Sequence, residues 1–91
     1  MITVDIDEQI TETMEQIIGQ IFLKDPADIA AHHELRFKED LNANSKQYFP
    51  ILAVFEEKYG IFMDYHVFQY SATTIETAIN YIISEYHIQN T

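Results

Sequence analysis

The sequence lacks cysteine, and it contains only two glycines and two prolines among its 91 residues. Without cysteine there can be no disulfide framework, no zinc–thiolate site and no thiol nucleophile. With glycine only at Gly19 and Gly60, the chain has no glycine-rich phosphate-binding loop. Apolar residues nevertheless make up 47% of the chain. This composition predicts a compact globular protein rather than a disordered one.

Basic residues are also scarce, since five Lys and Arg accompany fifteen Asp and Glu and give a net charge of −10. Such a surface repels nucleic acid and anionic membranes and attracts basic protein surfaces, although in most small acidic domains it only maintains solubility. No apolar run is long enough to span a bilayer, and no basic, apolar leader opens the chain. We therefore expect a cytoplasmic monomer without membrane insertion, with one domain over 1–91 and a core over about 6–86.

Helical periodicity predicts two helices before the middle of the chain. Asp5 is predicted to be an N-cap, and a helix is predicted over 5–22. Asp25 followed by Pro26 resembles an N-cap with proline at the first helical position, which predicts a short helical turn over 26–31. The apolar stripe of the first helix consists of Ile6, Ile10, Met14, Ile17, Ile18 and Ile21.

A further main helix is predicted over 45–59, ending at Gly60, which suits the left-handed position after a helix. Pro50 disturbs this helix, because in a helix interior its ring removes one hydrogen bond and clashes with the preceding turn. The helix either kinks at Pro50 or begins near 47–49 with Pro50 in its first turn, and we favour the later start. Its apolar stripe is expected to contain Phe49, Leu52, Phe55 and Tyr59, with Ile51 beside it.

The last third of the chain predicts a loop with a short helix over 61–70, followed by a closing helix. Thr73 and Glu76 form a predicted capping box, in which Thr73 is the N-cap. We expect the closing helix to end near His87. Its apolar stripe contains Ile75, Ala78, Ile79, Ile82, Ile83 and Tyr86.

Metal and catalytic sites find little support. His32-His33-Glu34 has donors of metal-binding type, but neighbouring residues point in different directions and no second cluster completes a site. The stretch 40–51 opens with the spacing of a calcium loop, yet its sixth and twelfth positions are Ser45 and Ile51 rather than glycine and glutamate. No histidine base accompanies Ser45 locally, so a serine nucleophile is not expected. These three observations together predict neither a metal site nor an enzyme.

Ser45 ends a polar, turn-forming stretch, 40–45, that precedes an apolar helix. Leu35 and Phe37 are expected to anchor the long connection before it to the core. Serine at a helix start most often serves as a cap, which contributes about 1 kcal/mol to stability. The residues alone therefore leave two interpretations open: Ser45 is a helix cap, or it is an exposed site of attachment.

Three segments of the chain resemble the acyl carrier protein family. They are FKEDLNANS at 37–45, FEEKYGI at 55–61 and TTIETAINYI at 73–82. The family pattern has an acidic-Asp-Leu-Gly-x-Asp-Ser-Leu loop, a helix ending Leu-Glu-x-x-Phe-Gly-Ile, and a closing Thr-Val-x-x-Ala-x-x-Tyr-Ile helix. The resemblance covers residues 6–86 and implies an all-α four-helix bundle of three longer helices and one short helix.

The resemblance also implies a function. A phosphopantetheinyl transferase would attach a 4′-phosphopantetheine arm from coenzyme A to Ser45, and the arm would carry acyl groups as thioesters. Asn44 and Lys46 beside the serine, with Glu56 and Glu57 on the following helix, would contact acyl-transferring or acyl-modifying enzymes that have basic surfaces. The residues that match or lie near the acyl pocket of the family are Phe37, Leu52, Phe55, Met63 and Ile79, which can equally be simple core residues.

Four residues depart from the family pattern around the serine. Asn42 replaces the usual glycine, Asn44 an aspartate, Lys46 a leucine and Pro50 an acidic or neutral residue. These departures indicate a divergent carrier of a specialised lipid or secondary-metabolite pathway. They also support an alternative, in which the chain is an unmodified interaction module that has the carrier fold.

Overall fold

The computed structural model describes residues 5–90. Its α-helices are α1 (Ile6–Phe22), α2 (Pro26–Ala31), α3 (Tyr48–Tyr59), α4 (Tyr65–Ser71) and α5 (Ile75–Gln89). A 3₁₀ turn, Ser45–Gln47, leads directly into α3. The described residues form no strand, and an isolated bridge pairs Arg36 with Thr74. The predicted all-α class is therefore confirmed.

α1 forms as its sequence predicts. The Asp5 carboxylate accepts a hydrogen bond from the Asp7 N–H (2.8 Å), which satisfies one of the free amides of the first turn. The predicted stripe faces the core: Ile10, Met14 and Ile18 are fully buried. The other members of the stripe, Ile6, Ile17 and Ile21, are partly buried and pack against that core.

The turn between α1 and α2 passes so close to α1 that a glycine is required at position 19 of that helix. A Cβ atom on Gly19 would lie 2.8 Å from the Lys24 carbonyl oxygen and 3.2 Å from a ring carbon of Pro26. Asp25 caps α2 by accepting a hydrogen bond from the Ala27 N–H (2.9 Å), and Pro26 occupies the first turn, where no amide is needed. The predicted short helix is confirmed.

α3 begins at Tyr48, which makes Pro50 its third residue and confirms the later of the two predicted starts. The helix ends at Gly60, whose φ of +65° is left-handed as predicted. The expectation that Phe49 lies on the buried stripe is wrong, because its side chain is 55% exposed. Tyr48 takes that place, and the buried face of α3 consists of Tyr48, Ile51, Leu52 and Phe55.

The cap of α5 lies one residue later than predicted. Thr74 Oγ1 accepts a hydrogen bond from the Thr77 N–H (3.1 Å), and Thr77 Oγ1 accepts one from the Thr74 N–H (3.0 Å). The predicted box of Thr73 and Glu76 is therefore wrong. Thr73 instead lies in the bend between α4 and α5, where its carbonyl oxygen accepts a hydrogen bond from the Phe37 N–H (3.0 Å).

The predicted loop and short helix over 61–70 are confirmed by α4. α5 extends to Gln89, slightly beyond the predicted end near His87. The Gln89 side chain donates to the Phe62 carbonyl oxygen (2.7 Å) and accepts from the Phe62 N–H (2.8 Å). These two bonds fix the last turn of α5 to the loop before α4.

Aromatic rings connect the helices through the core. The Phe37 ring lies 6.3 Å from Phe22 and 5.6 Å from Tyr48, and the Phe68 ring lies 6.0 Å from Tyr48 and 5.9 Å from Tyr81. Three of these four contacts are edge-to-face, a favourable geometry for aromatic pairs. The Cα radius of gyration is 12.5 Å, close to the value of about 12 Å expected for a compact chain of this length.

The helices pack around this aromatic core. α1 packs against α2, α3 and α5, and α4 packs against α3 and α5. Among residues 5–90, none of the helices combines the length and the apolar character that crossing a membrane requires.

Candidate functional site

The connection that leads to Ser45 is fixed to the start of α5 by backbone hydrogen bonds. The Phe37 N–H donates to the Thr73 carbonyl oxygen (3.0 Å), and the Ile75 N–H donates to the Leu35 carbonyl oxygen (3.0 Å). Phe37 is fully buried and Leu35 packs against the core, so both predicted anchors are confirmed. The far end of the connection, by contrast, presents Ser45 to solvent.

Two polar residues shape the loop between these anchors and Ser45. Asp40 accepts hydrogen bonds from the Arg36 N–H (2.7 Å) and from Arg36 Nε (3.2 Å). These bonds, the backbone one most of all, hold the pKa of the Asp40 carboxyl below its usual range. Asn42 adopts a left-handed conformation with φ of +55°, which asparagine tolerates better than most residues with a side chain. Asn42 therefore occupies a left-handed position where the family pattern has glycine.

Ser45 opens the 3₁₀ turn and is exposed. Asn44 caps this turn: its Oδ1 accepts a hydrogen bond from the Lys46 N–H (3.0 Å), and Gln47 Oε1 accepts one from the Asn44 N–H (2.8 Å). The interpretation of Ser45 as the helix cap is therefore wrong. Among residues 5–90, the Ser45 hydroxyl makes no hydrogen bond, which leaves its oxygen accessible.

Two aromatic side chains flank Ser45. The Tyr65 hydroxyl donates a hydrogen bond to the Ser45 carbonyl oxygen. The Tyr65 ring stacks on Phe49, with 4.0 Å between ring centroids and 5° between ring planes. Because Tyr65 is the first residue of α4, these contacts join the starts of α3 and α4. We call the surface formed by Ser45, Lys46, Phe49, Pro50 and Tyr65 the serine face.

The sequence pattern did not identify Phe49 and Tyr65 as site residues. Phe49 has the spacing of a core position, and 61–70 is rich in aromatic residues without a clean period. The signal that could have found them is the density of aromatic residues on both sides of a polar loop that ends in serine.

Tyr48 is the first residue of α3 and is 1% exposed. Its ring packs between those of Phe37 and Phe68. The Tyr48 hydroxyl is buried without a hydrogen-bond partner among the described residues. Burial raises the pKa of this hydroxyl, and the nearby Tyr65 and Glu39 add to the effect.

The residues predicted to contact partner enzymes lie at the two ends of α3. Asn44 and Lys46 are exposed beside Ser45, whereas Glu56 and Glu57 lie near the end of the helix, roughly 15 Å further along its axis. Glu57 is exposed. Glu56 is half-buried, and its carboxylate accepts a hydrogen bond from the Met63 N–H (3.3 Å). The structure therefore does not bring these four residues into one patch.

The residues predicted to line an acyl pocket are core residues in this structure. Phe37, Leu52, Phe55 and Ile79 are at most 5% exposed, and Met63 packs against them at the edge of the core. An open groove of about 560 Å³ lies elsewhere, between the loop at Arg36 and the α4–α5 connection at Thr73. An acyl chain would have to part the core side chains to enter among them.

The acidic side chains of α1 form a second surface. A shallow groove of about 370 Å³ is lined by Asp7, Glu8, Thr11, Glu12 and Glu15, and we call it the acidic groove. Two of its carboxylates have histidine partners: Asp7 lies 2.8 Å from His87, and Glu15 lies 2.7 Å from His33. Glu8 and Glu12 are exposed.

The two adjacent histidines each lie beside a carboxylate. His32 Nδ1 is 2.9 Å from the Glu34 carboxylate, and His33 Nε2 is 2.7 Å from the Glu15 carboxylate. In the part of the chain that the structure describes, no three His, Asp or Glu side chains are grouped so that they could hold a metal ion.

Comparisons with protein-family models, with curated proteins and with solved structures found no match to this chain. The resemblance of the three sequence segments to acyl carrier proteins therefore remains a prediction. A functional proposal has to rest on that resemblance and on the geometry around Ser45.

Proposed function

We propose that this chain is a carrier protein of the acyl-carrier type, with Ser45 as the attachment site of a 4′-phosphopantetheine arm. The observation that carries the proposal is the exposed Ser45 hydroxyl at the start of a turn that Asn44 caps. Because the hydroxyl is not needed as a cap, its modification leaves the hydrogen bonds of the turn intact. An all-α fold of three longer helices, with the serine just before α3, supports the same proposal, although the described residues form two short helices, α2 and α4, where the resemblance implies one.

The surroundings of Ser45 fit a phosphodiester. The 3₁₀ turn and α3 place the positive end of the helix dipole beside Ser45, which favours a negative charge. The exposed Lys46 ammonium adds a full positive charge beside the serine. A carboxylate of the same loop, Asp40, is bonded to Arg36 at 3.2 Å, which reduces its repulsion of an anion.

In the proposed transfer, Ser45 Oγ forms a bond to the phosphorus that bears the pantetheine group of coenzyme A. The pyrophosphate bond of coenzyme A breaks, adenosine bisphosphate leaves, and the hydroxyl proton passes to a base on the phosphopantetheinyl transferase. The attached arm supplies the thiol that this cysteine-free chain lacks, and it carries acyl groups as thioesters. In this proposal Asn44 and Gln47 maintain the turn that presents the arm. Tyr65 fixes the same turn by donating a hydrogen bond to the Ser45 carbonyl oxygen.

The partners in this proposal are the transferase and enzymes that transfer or modify acyl groups, and the chain itself catalyses nothing. Asn42, Asn44, Lys46 and Pro50 depart from the family pattern, which favours a specialised lipid or secondary-metabolite pathway. The exposed Glu57 supplies charge for basic partner surfaces. The serine face supplies aromatic and apolar contact.

The proposal is tested by the intact mass of the protein after incubation with coenzyme A and a broad-specificity phosphopantetheinyl transferase. We expect the wild type to gain one phosphopantetheinyl group and Ser45→Ala to gain none. Ser84→Ala is the matched control, since Ser84 is an exposed serine on α5, and it should gain the group as the wild type does. An unmodified wild type beside a fully modified reference carrier would count against the proposal.

A second candidate function is an unmodified interaction module. The stack of the exposed Phe49 on the half-buried Tyr65 favours it, because exposed aromatic side chains are frequent at the centres of protein interfaces. The two candidates differ in their dependence on the serine. In cells that require the protein for growth, an interaction module should support growth with Ser45→Ala and not with Phe49→Ala. A carrier should not support growth with Ser45→Ala.

A further inference from the structure

The proposed function makes no use of the groove between the loop at Arg36 and the α4–α5 connection, which we call the Arg36 groove. Arg36, Lys38 and Glu39 line one side of it, and Gln69 and Tyr70 line the other. Its volume of about 560 Å³ lies within the range of about 300–1,000 Å³ that is typical of small-molecule sites. The groove is therefore large enough for a small organic ligand.

Backbone contacts join the two sides of the Arg36 groove. The Phe37 N–H donates a hydrogen bond to the Thr73 carbonyl oxygen (3.0 Å), and Arg36 pairs with Thr74 in an isolated antiparallel bridge. Side chains that are directly opposite in an antiparallel pair lie on the same face. Arg36 and Thr74 both line the groove, as this pairing requires.

The loop side of the groove carries two cations in a chain that has only five Lys and Arg. Arg36 engages Asp40 (3.2 Å) and Glu39 (4.0 Å) through Nε, and its terminal nitrogens make no hydrogen bond within residues 5–90. Lys38 is exposed and has no ion-pair partner in the same range. Guanidinium and ammonium groups with free N–H donors are the groups that bind phosphate in proteins.

The helix side of the groove offers an aromatic ring and an amide. Tyr70 is 87% exposed, so the faces of its ring are open to a ligand. The Gln69 amide makes no hydrogen bond to any other described residue. Nucleic-acid bases stack on aromatic rings, and the amide of glutamine can both donate to and accept from the edge of a base. This side of the groove therefore suits a heteroaromatic base.

We propose that the Arg36 groove binds a nucleoside monophosphate, with its phosphate on Arg36 and Lys38 and its base on Tyr70. Glu39 distinguishes this ligand from an acidic peptide. A run of carboxylates would meet the Glu39 carboxylate, whereas ribose hydroxyls can donate hydrogen bonds to it. The inference goes beyond the proposed function and does not depend on the modification of Ser45.

The experiment is a nuclear magnetic resonance titration of the ¹⁵N-labelled full chain. The probes are AMP, GMP, CMP and UMP, with adenosine, inorganic phosphate and a hexaglutamate peptide for comparison. At least one nucleotide should shift the amide signals of residues that line the Arg36 groove. It should bind at least about tenfold more tightly than adenosine or phosphate, which each lack one of the two main contacts.

Variants test the two contacts separately. Lys38→Gln should weaken nucleotide binding by about tenfold through the loss of a charged hydrogen bond. Tyr70→Ala should weaken it by a similar factor through the loss of the stack, and Tyr70→Phe, which keeps the ring, should bind as the wild type does. Lys24→Gln is the matched control, since Lys24 is an exposed lysine in the turn between α1 and α2, and it should leave binding unchanged.

Four results would overturn the inference. They are the absence of shifts at millimolar concentrations of every nucleotide, binding of phosphate alone as tightly as any nucleotide, tighter binding of hexaglutamate, and unchanged affinity in both Lys38→Gln and Tyr70→Ala. Ser45→Ala should bind the nucleotide as the wild type does. A failure of Ser45 to gain mass would therefore overturn the carrier proposal and leave the nucleotide site standing.

Discussion

The serine face and the acidic groove differ in the chemistry that they offer a partner. The five residues of the serine face include one cation, Lys46, an aromatic stack and no carboxylate. The acidic groove carries four carboxylates along one helix, two of them beside histidines. The net charge of −10 is therefore not concentrated at the proposed reactive serine.

This difference assigns different roles to the two surfaces. Exposed charges act over a distance of about 8 Å at physiological salt and change the rate of encounter more than the affinity. Aromatic side chains act through close contact and contribute mainly to the lifetime of a complex. We therefore expect partners to be attracted by the carboxylates of α1 and held by Phe49 and Tyr65.

The largest expected effect concerns the core that supports the serine face. Phe37→Ala should lower the free energy of unfolding by about 3–5 kcal/mol, because the ring is fully buried against Tyr48 and also anchors the loop before Ser45. Denaturant unfolding measures this change. Phe62→Ala is the control, since Phe62 is 85% exposed and its truncation should change stability by less than about 0.5 kcal/mol. Equal losses in the two variants would contradict the packing described.

The next effect concerns the bond that joins α4 to Ser45. Tyr65→Phe removes the hydrogen bond to the Ser45 carbonyl oxygen and keeps the stack on Phe49. We expect a loss of about 0.5–1.5 kcal/mol in stability and slower modification of Ser45 by the transferase. Tyr70→Phe is the control, because Tyr70 is 87% exposed. If both variants are modified at the wild-type rate, Tyr65 does not position the serine.

How much of this molecule the sequence predicts depends on whether a feature is local. Asp5 and Asp25 as caps, the start of α3 before Pro50 and the left-handed Gly60 follow from residues within one turn of each other. The misplaced cap of α5 has a tertiary cause, since Thr73 is held by the Phe37 backbone. A pattern read along one segment contains no information about that contact.

The candidate site shows the same limit. The exposed position of Ser45 was predicted from the polar loop before it. The sequence left open whether Ser45 is a cap, because adjacent Asn44 and Ser45 suit that role equally well. The contact of Tyr65 with Ser45 joins residues 20 positions apart, so only the fold reveals it.

A smaller effect concerns the loop before Ser45 and depends on pH. Asp40→Asn should lower the melting temperature at neutral pH, because hydrogen bonds from Arg36 favour the charged carboxylate in the folded state. A lowered pKa contributes stability above the ordinary value of 3.8, and this stability is lost as the pH falls through the lowered folded value. The gap between wild type and variant should therefore be full at neutral pH and close in acid.

Glu39→Gln is the control for the pH series, since Glu39 lies 4.0 Å from Arg36 Nε and is exposed. Its gap from the wild type should be smaller than that of Asp40→Asn at neutral pH. A gap for Asp40→Asn that stays constant into acid would show that the carboxylate charge is not the cause.

The smallest effect on stability is expected at the acidic groove. Glu8→Gln combined with Glu12→Gln should change the free energy of unfolding by less than about 0.5 kcal/mol, because both side chains are exposed. The rate of modification by the transferase should fall modestly at low salt and match the wild type at high salt. A rate of modification that stays below that of the wild type at high salt would show that α1 contacts the transferase directly. That result would contradict the different roles assigned to the two surfaces.

The measurement that tests the central claim most directly is the identity of the residue that carries the added mass. After incubation with coenzyme A and the transferase, fragmentation of the modified protein would assign the phosphopantetheinyl group to one of the serines, Ser45, Ser71 or Ser84. We predict that all of the added mass lies on Ser45. Mass on Ser71 or Ser84, or no added mass while a reference carrier in the same reaction is fully modified, would contradict the assignment of Ser45 as the attachment site.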